Sequence, residues 1–404
     1  MPSNSCTTIQ KQRLAGVMEK DMDLWCRRFF LGFLGLVAAL AWAGVHAENG
    51  VSDKEIVLGQ SLGLTGPLAQ LAPDIVNGAN VYFDSVNAKG GIFGRRIRLV
   101  TLDDGYQPAN TLKTARQLVE DERVFALLNL TGTDNVVGIL PMLAKEKPPV
   151  PLFAPFTGAD VLRVPVTGHV FHVRASYADE TEKLVQHLTT VGVQRIGVLW
   201  INNGFGKEGL AGVEKAMHKR GLKLYANAPV QPDASDVDKA VAALHDTRPE
   251  VIIMITTGVP TVSFIKAYNK ARKGMRFYAL SVMGTQATLR ALGPDGIGVV
   301  VTSVVPFPWS QSNPVANEYR SAMKNAGYDN LSFLGFESYI NAKVLVEGLR
   351  GAGKDLTRPK FVNALEQMRQ LNLGGFQVGF SKESHQGSRF VELTIIGPGE
   401  KFTK

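Results

Sequence analysis

Cysteine is almost missing from this chain: 404 residues hold two, Cys6 and Cys26. Both precede Ala47, so the sequence from Glu48 onward offers no thiol nucleophile, no disulfide and no cysteine metal ligand. Catalytic patterns are missing too. The histidines after residue 47 are His169, His172, His187, His218, His245 and His385, and none stands in an H-E-x-x-H arrangement. No G-x-S-x-G elbow presents a serine nucleophile. The stretch NGFGKEG has glycines and a lysine, but its spacing is wrong for backbone amides to wrap a phosphate. At the first strand-to-helix turn, GLTGPL, Pro67 removes a donor that a dinucleotide loop would need. These absences argue against an enzyme, a metal centre and a bound cofactor.

Strong charge patterning is also lacking. The formal net charge is +8 over 20% charged residues, but no basic run resembles a nucleic-acid arm. Five basic and three acidic residues lie in the first 47, so six of the eight net charges belong to the remainder. The charge reads as a solubility feature.

One long apolar run is present. Arg27 and Arg28 precede FFLGFLGLVAALAWAGVHA, which ends in small residues with Val45 and Ala47 at the positions a signal peptidase reads. Charged flank, apolar core and small-residue end make residues 1–47 a cleaved secretory signal peptide. The stretch before Arg27 is long for a leader, and initiation at Met22 would give an ordinary one. A membrane anchor is the competing reading, which the cleavage site disfavours.

From residue 56 the pattern alternates strand and helix. Strands are expected at 56–62, 97–102, 124–130 and 150–154, with helices at 74–87, 109–122 and 135–146 between them. Near HVFHVR the series restarts: helices at 179–191, 206–220, 235–246 and 260–273 alternate with strands at 195–201, 222–229, 251–255 and 275–281. Such a run of βαβ units implies parallel sheets covered by helices. The tail then supplies helices at 314–326, 333–351 and 358–368 and strands at 376–380 and 390–396. A tail of this kind can return to cover the first lobe.

The stretch NAKGGIFGRRIRLVTLDDGYQP poses its own question. Gly90-Gly91 reads as a helix stop and tight turn, and Arg95-Arg96 as a solvated entry to a strand. Asp103 and Asp104 are adjacent on a strand and so point to opposite faces; they build a turn rather than a shared metal site. Three strand ends carry small hydroxyl residues before a helix: Thr65-Gly66, Thr131 to Asn135, and Thr157-Gly158. Each alone is an N-cap. Converging on one sheet edge, they would form a cleft for an anionic group such as a carboxylate, without catalytic groups.

The segments GQSLGLTGPLAQ, NGANVYFDSVNAKGGIFGRRIRLVTLDDGYQPANT, NNGFGKEGL and GFESYINAKVLVEGLRGAG together resemble the periplasmic substrate-binding proteins of branched-chain amino-acid ABC transporters, the Leu/Ile/Val-binding family. The combination of NAKGGIFGR with a following D-D-x-x-x-P is the most specific part. The resemblance implies an α/β fold, the type I periplasmic binding protein: two Rossmann-like lobes with parallel sheets flanked by helices, joined by a three-crossover hinge. It implies one lobe from 48–173 plus 305–376 and a second from 174–304 plus 377–404. It further implies a periplasmic, monomeric protein that takes a small amino-acid-like ligand, uses no cofactor and works with ABC permease subunits. A ligand-sensing receptor of the same fold is the rival function.

Carried over position by position, the ligand carboxylate would meet Thr133 or Asp134, and Phe156, Thr157 and Gly158. Phe205 takes the place of a second-lobe aromatic, and Tyr177, just past the first crossover, is a lining residue. The chain departs from the family at the ammonium site: Val282 stands where an acidic residue is expected, and Gly258 or Val259 where an aromatic one is. An ammonium closed away without a carboxylate is costly. A carboxylate or amide with an apolar or aromatic body is therefore the expected ligand.

Overall fold

The computed structural model describes residues 48–404. The leader, the Met22 start and both cysteines lie outside the described residues. The first sheet is entirely parallel. Its strands are β1 (Glu55–Leu62), β2 (Arg96–Asp103), β3 (Ala126–Leu128), β4 (Leu152–Phe153) and β5 (Val170–Phe171), in the order β2-β1-β3-β4-β5. Helices α1 (Ala72–Ala88), α2 (Pro108–Arg116) and α3 (Thr133–Lys145) make the crossovers.

The second sheet repeats that order. β6 (Ile196–Ile201), β7 (Ala226–Val230), β8 (Val251–Ile255), β9 (Arg276–Ala279) and β10 (Val300–Ser303) lie as β7-β6-β8-β9-β10. Around them are α4 (Tyr177–Thr190), α5 (Gly204–His218), α6 (Val237–Thr247), α7 (Val259–Ala271) and α8 (Gln286–Leu292). Strand β8, VIIMI, is buried at every residue, as a central parallel strand covered on both faces must be. Helix α4 starts at a capping box in which Ser176 and Asp179 bond each other's backbone amides.

Three helices follow, α9 (Pro314–Asn325), α10 (Phe333–Ala352) and α11 (Arg358–Glu366), then a small hairpin of β11 (Leu371–Asn372) and β12 (Gln377–Val378). The chain ends by adding β13 (Glu392–Gly397) and β14 (Lys401–Thr403) antiparallel beside β10. It thus passes between the two sheets three times. α10 is buried nearly all round, as a helix without a polar face has to be. It packs on α1 so closely that a Cβ on Gly78 would lie 2.1 Å from the Gly335 carbonyl oxygen. A buried polar thread fixes the return: Asn129 donates to Ser338 Oγ at 2.8 Å, and Asn341 donates to the Asn129 carbonyl at 2.9 Å.

Three differences from the sequence reading have physical reasons. The helix expected over 109–122 stops at Arg116 and continues as a π-turn, Gln117–Asp121, where the Glu122 amide reaches back to Gln117. α8 and β14 were not anticipated, nor was β10, where the run IGVVVTSVV has no period by which to tell strand from helix. Arg95 is not simply solvated: its guanidinium donates to the Ser52 and Lys354 carbonyls, each at 2.7 Å.

An ion cluster sits where the chain crosses between the sheets. Arg174, on the first crossover, bonds Glu180 of α4 at 3.2 Å and faces Glu337 of α10 at 3.7 Å. Glu180 also accepts from the Ser281 amide at 2.8 Å and from the Thr302 hydroxyl on β10. All three ionisable side chains are buried. Burial pushes the Glu337 carboxyl up to about 7, with Arg174 opposing.

Candidate functional site

In parallel sheets all strands end on the same edge, and ligands gather outside the carboxyl ends. Both sheets turn that edge toward one cavity. From the first come Leu68 after β1, Tyr106 after β2, Thr131 and Gly132 after β3, and Phe156 after β4. The second supplies Phe205 after β6, Thr257 after β8 and Val282 after β9. Leu71 and Ile75 near the start of α1, Tyr177 at the start of α4 and Leu334 at the start of α10 complete the wall. The cavity measures about 30 Å³, room for one or two waters, so the walls are drawn together.

Two carboxylates hold them so. Asp134, in the first turn of α3, accepts from the Gly204 amide that begins α5, at 2.8 Å. Glu208, one turn into α5, accepts from the Asp160 amide at 2.8 Å. Each bond joins a segment of the first sheet's side to one of the second's. Gly258 closes on the same seam, its Cα facing the Pro67 carbonyl.

No charged side chain lines the cavity. Its polar atoms are neutral and partly unused. The Thr131 hydroxyl is buried without a hydrogen-bond partner, and no side chain caps α3. The first turn of α3, at the positive end of the helix dipole, thus starts without a side-chain cap next to Thr131 and Gly132 of the wall. Burial raises the phenols of Tyr106 and Tyr177 above their ordinary range, so both stay protonated. The Tyr177 and Phe205 rings meet at 5.0 Å.

Of the ten residues singled out from sequence, four face this cavity: Phe156, Tyr177, Phe205 and Val282. Thr133 and Thr157 stand behind the wall, their hydroxyls bonded to each other at 2.8 Å. Gly158 supports Tyr177, whose amide donates to its carbonyl at 2.7 Å. Asp134 reaches across the seam rather than into the cavity, Gly258 lies at the seam, and Val259 is exposed.

Residues the sequence reading missed include Tyr106, Leu68, Leu71, Ile75, Thr257 and Leu334, whereas Thr131 and Gly132 lie in a strand end it had singled out. Arg163 also went unremarked. Its guanidinium donates to the Thr157, Ala159 and Arg174 carbonyls at 3.3, 3.1 and 3.2 Å, tying the strand-end loop to the first crossover. Burial brings it down to about 10.

The aspartate pair builds the loop beside the cavity. Exposed Asp103 accepts from the Thr65 hydroxyl at 2.7 Å and the Gly105 amide at 2.9 Å, and the bond to Thr65 keeps its carboxyl below the usual range. Buried Asp104 accepts from Ser61 at 2.8 Å, Thr111 at 2.9 Å and the Tyr106 amide at 2.8 Å. Desolvation pushes it up. The opposite environments follow from the strand's alternation. Among the described residues no group of three or more His, Cys, Asp or Glu is placed to hold a metal ion.

Comparison with known proteins places this architecture. A family model described as "Periplasmic binding protein" matches residues 55–396. The chain is 23% identical over 327 residues to Leu/Ile/Val-binding protein homolog 7 of Brucella abortus, covering 77% of this chain and 81% of that protein. Among solved structures it resembles a substrate-binding periplasmic protein from Ralstonia solanacearum at 32% identity and a TM-score of 0.81, covering 86% of this chain and 99% of that one. It resembles a possible leucine/isoleucine/valine-binding protein from Rhodopirellula baltica at 30% identity and TM-score 0.81, covering 87% and 96%.

Proposed function

The chain belongs to the periplasmic binding protein family, with its nearest character in the branched-chain amino-acid type, and from that footing we propose that it captures a small carboxylic acid or amide that carries an apolar body and no ammonium group. The family binds small solutes and works with ABC transporters. The ligand enters between two lobes, 48–173 with 305–376 and 174–304 with 377–404, and closure presents it to a membrane permease. Residues 1–47 direct the chain out of the cytoplasm and are removed.

One observation carries the ligand class: the cavity wall is apolar and holds no carboxylate. An ammonium shut inside would lose its hydration with no partner, which costs several kcal/mol on the order of a buried unpaired charge. An oxygen-bearing group fares better. It finds the Thr131 hydroxyl, which has no other partner, and the uncapped amides at the start of α3. Leucines, phenylalanines and Val282 then surround the apolar body. The bonds from Asp134 to Gly204 and from Glu208 to Asp160 favour closure, and the walls they draw together must part further to take the ligand in.

The test compares leucine with its deaminated analogues isocaproate and isocaproamide, and phenylalanine with phenylpropanoate, by thermal shift and titration calorimetry on the chain from Glu48. The acids or amides are expected to raise Tm, since a ligand at about 100 times its Kd stabilises by about 2.7 kcal/mol. Tighter binding of leucine than of isocaproate would sink the reading.

A further inference from the structure

We infer that Tyr106 sets which ligands the cavity accepts: its ring walls off one end of the space and limits the length of the ligand's apolar body. The inference rests on the proposed reading of a small organic ligand in this cavity.

Tyr106 has a backbone φ of +59°, a left-handed conformation uncommon for a residue with a side chain. Such strain persists where the surroundings impose it, and it collects at functional sites. Here the aspartate pair imposes it. Asp104 takes the Tyr106 amide at 2.8 Å and Asp103 takes the Gly105 amide at 2.9 Å. Asp104 is itself braced by Thr111, whose hydroxyl accepts from Asn135 of α3 at 2.8 Å. Four side chains, Asp103, Asp104, Thr111 and Asn135, thus converge on one turn.

That turn aims an aromatic ring at the cavity. The ring lies against the N-cap of α3: a Cβ on Gly132 would come within 2.7 Å of Tyr106 Cε2. Only glycine fits there, and Gly132 also has a φ of +100°. The ring is therefore pinned between the loop that holds its backbone and the helix start that offers its amides to the ligand.

The experiment measures Kd by calorimetry for straight-chain carboxylates from butanoate to decanoate and their amides, on the wild-type chain and on Tyr106→Gly, Tyr106→Asn and Tyr106→Phe. Glycine and asparagine both tolerate the left-handed turn, so two independent variants remove the ring without forcing the backbone. Both are expected to move the optimum to ligands longer by about two carbons, changing the long-to-short Kd ratio about tenfold or more, since each methylene in a fitted apolar pocket is worth about tenfold. Tyr106→Phe, which keeps the ring, is expected to keep the rank order. An unchanged rank order in both Tyr106→Gly and Tyr106→Asn, with wild type binding the series, overturns the inference alone. Wild type binding none of these acids or amides overturns the ligand reading and this inference with it.

Discussion

The cavity and the ion cluster at the crossovers are both buried, and they are built on opposite rules. The cavity has no charged wall residue and leaves the Thr131 hydroxyl without a partner. The cluster packs Arg174, Glu180 and Glu337 out of water and ties them to Ser281 and Thr302. On the proposed reading the ligand brings no ammonium, so the cavity needs no carboxylate to pair with one. The hinge explains the second: Arg174 sits on the first crossover, Thr302 on the strand that leads into the second, and Glu337 on the returning α10. Charge is concentrated where the segments must keep their positions and removed where the contents must change.

The largest expected effect comes from breaking the cluster. Arg174→Met leaves two buried carboxylates facing each other, and losing one partner of a buried ion pair costs about 3–5 kcal/mol. Urea unfolding of the variant should show a loss of that size, and Glu337→Gln added to Arg174→Met should restore part of it. A loss below about 1 kcal/mol would mean that the three charges are not coupled, and the contrast with the cavity would fail.

A smaller effect follows from pH. The Glu337 carboxyl titrates at about 7 in the fold against 4.5 unperturbed. Below 4.5 the carboxyl is protonated in both folded and unfolded chains, and the stability that goes with the neutral form is fully present. Between 4.5 and about 7 the folded chain holds the extra proton, so stability falls as pH rises, and above about 7 the fall levels off. The span is on the order of 3 kcal/mol. Asp104 is also raised by burial, so the informative quantity is the difference between wild type and Glu337→Gln. The variant should lose much of the slope between pH 5 and 8; equal slopes would remove Glu337 from the account.

The comparison also separates what could be read in the sequence. Strand and helix order was legible because parallel strands are short apolar runs bounded by turns, and β8 as VIIMI is the plainest instance. The antiparallel edge was not, because nothing local to residues 392–403 says that β13 will meet β10. In the site, Phe156, Tyr177, Phe205 and Val282 were reached through family resemblance, and all four face the cavity. Leu71 and Ile75 read as ordinary core positions of an amphipathic helix, since a cavity wall and a core have the same composition. Tyr106 carries no local sign of its positive φ, which depends on Asp104 being held by Ser61 and Thr111. Asp134 was named as a ligand residue by family resemblance; its partner, Gly204, lies seventy residues away. The alternation of Asp103 and Asp104 was readable because it needs only the period of a strand.

The smallest effect on the fold, and the sharpest test of the contrast, belongs to Thr131. Its hydroxyl is buried and unpartnered, so in the empty protein it has already lost water and gained nothing. Thr131→Val keeps the shape and removes that uncompensated group. Stability without ligand should therefore hold within about 1 kcal/mol or improve, because an unsatisfied hydroxyl costs about 1–3 kcal/mol. Binding should move the other way: a ligand oxygen that used the hydroxyl loses a hydrogen bond worth about 0.5–1.5 kcal/mol, or about threefold to tenfold in Kd. Urea midpoints with and without isocaproate separate the two terms in one experiment. A variant that is both less stable and equally tight would place Thr131 with the structural residues, and the free hydroxyl would no longer mark the cavity as a place kept open for something else.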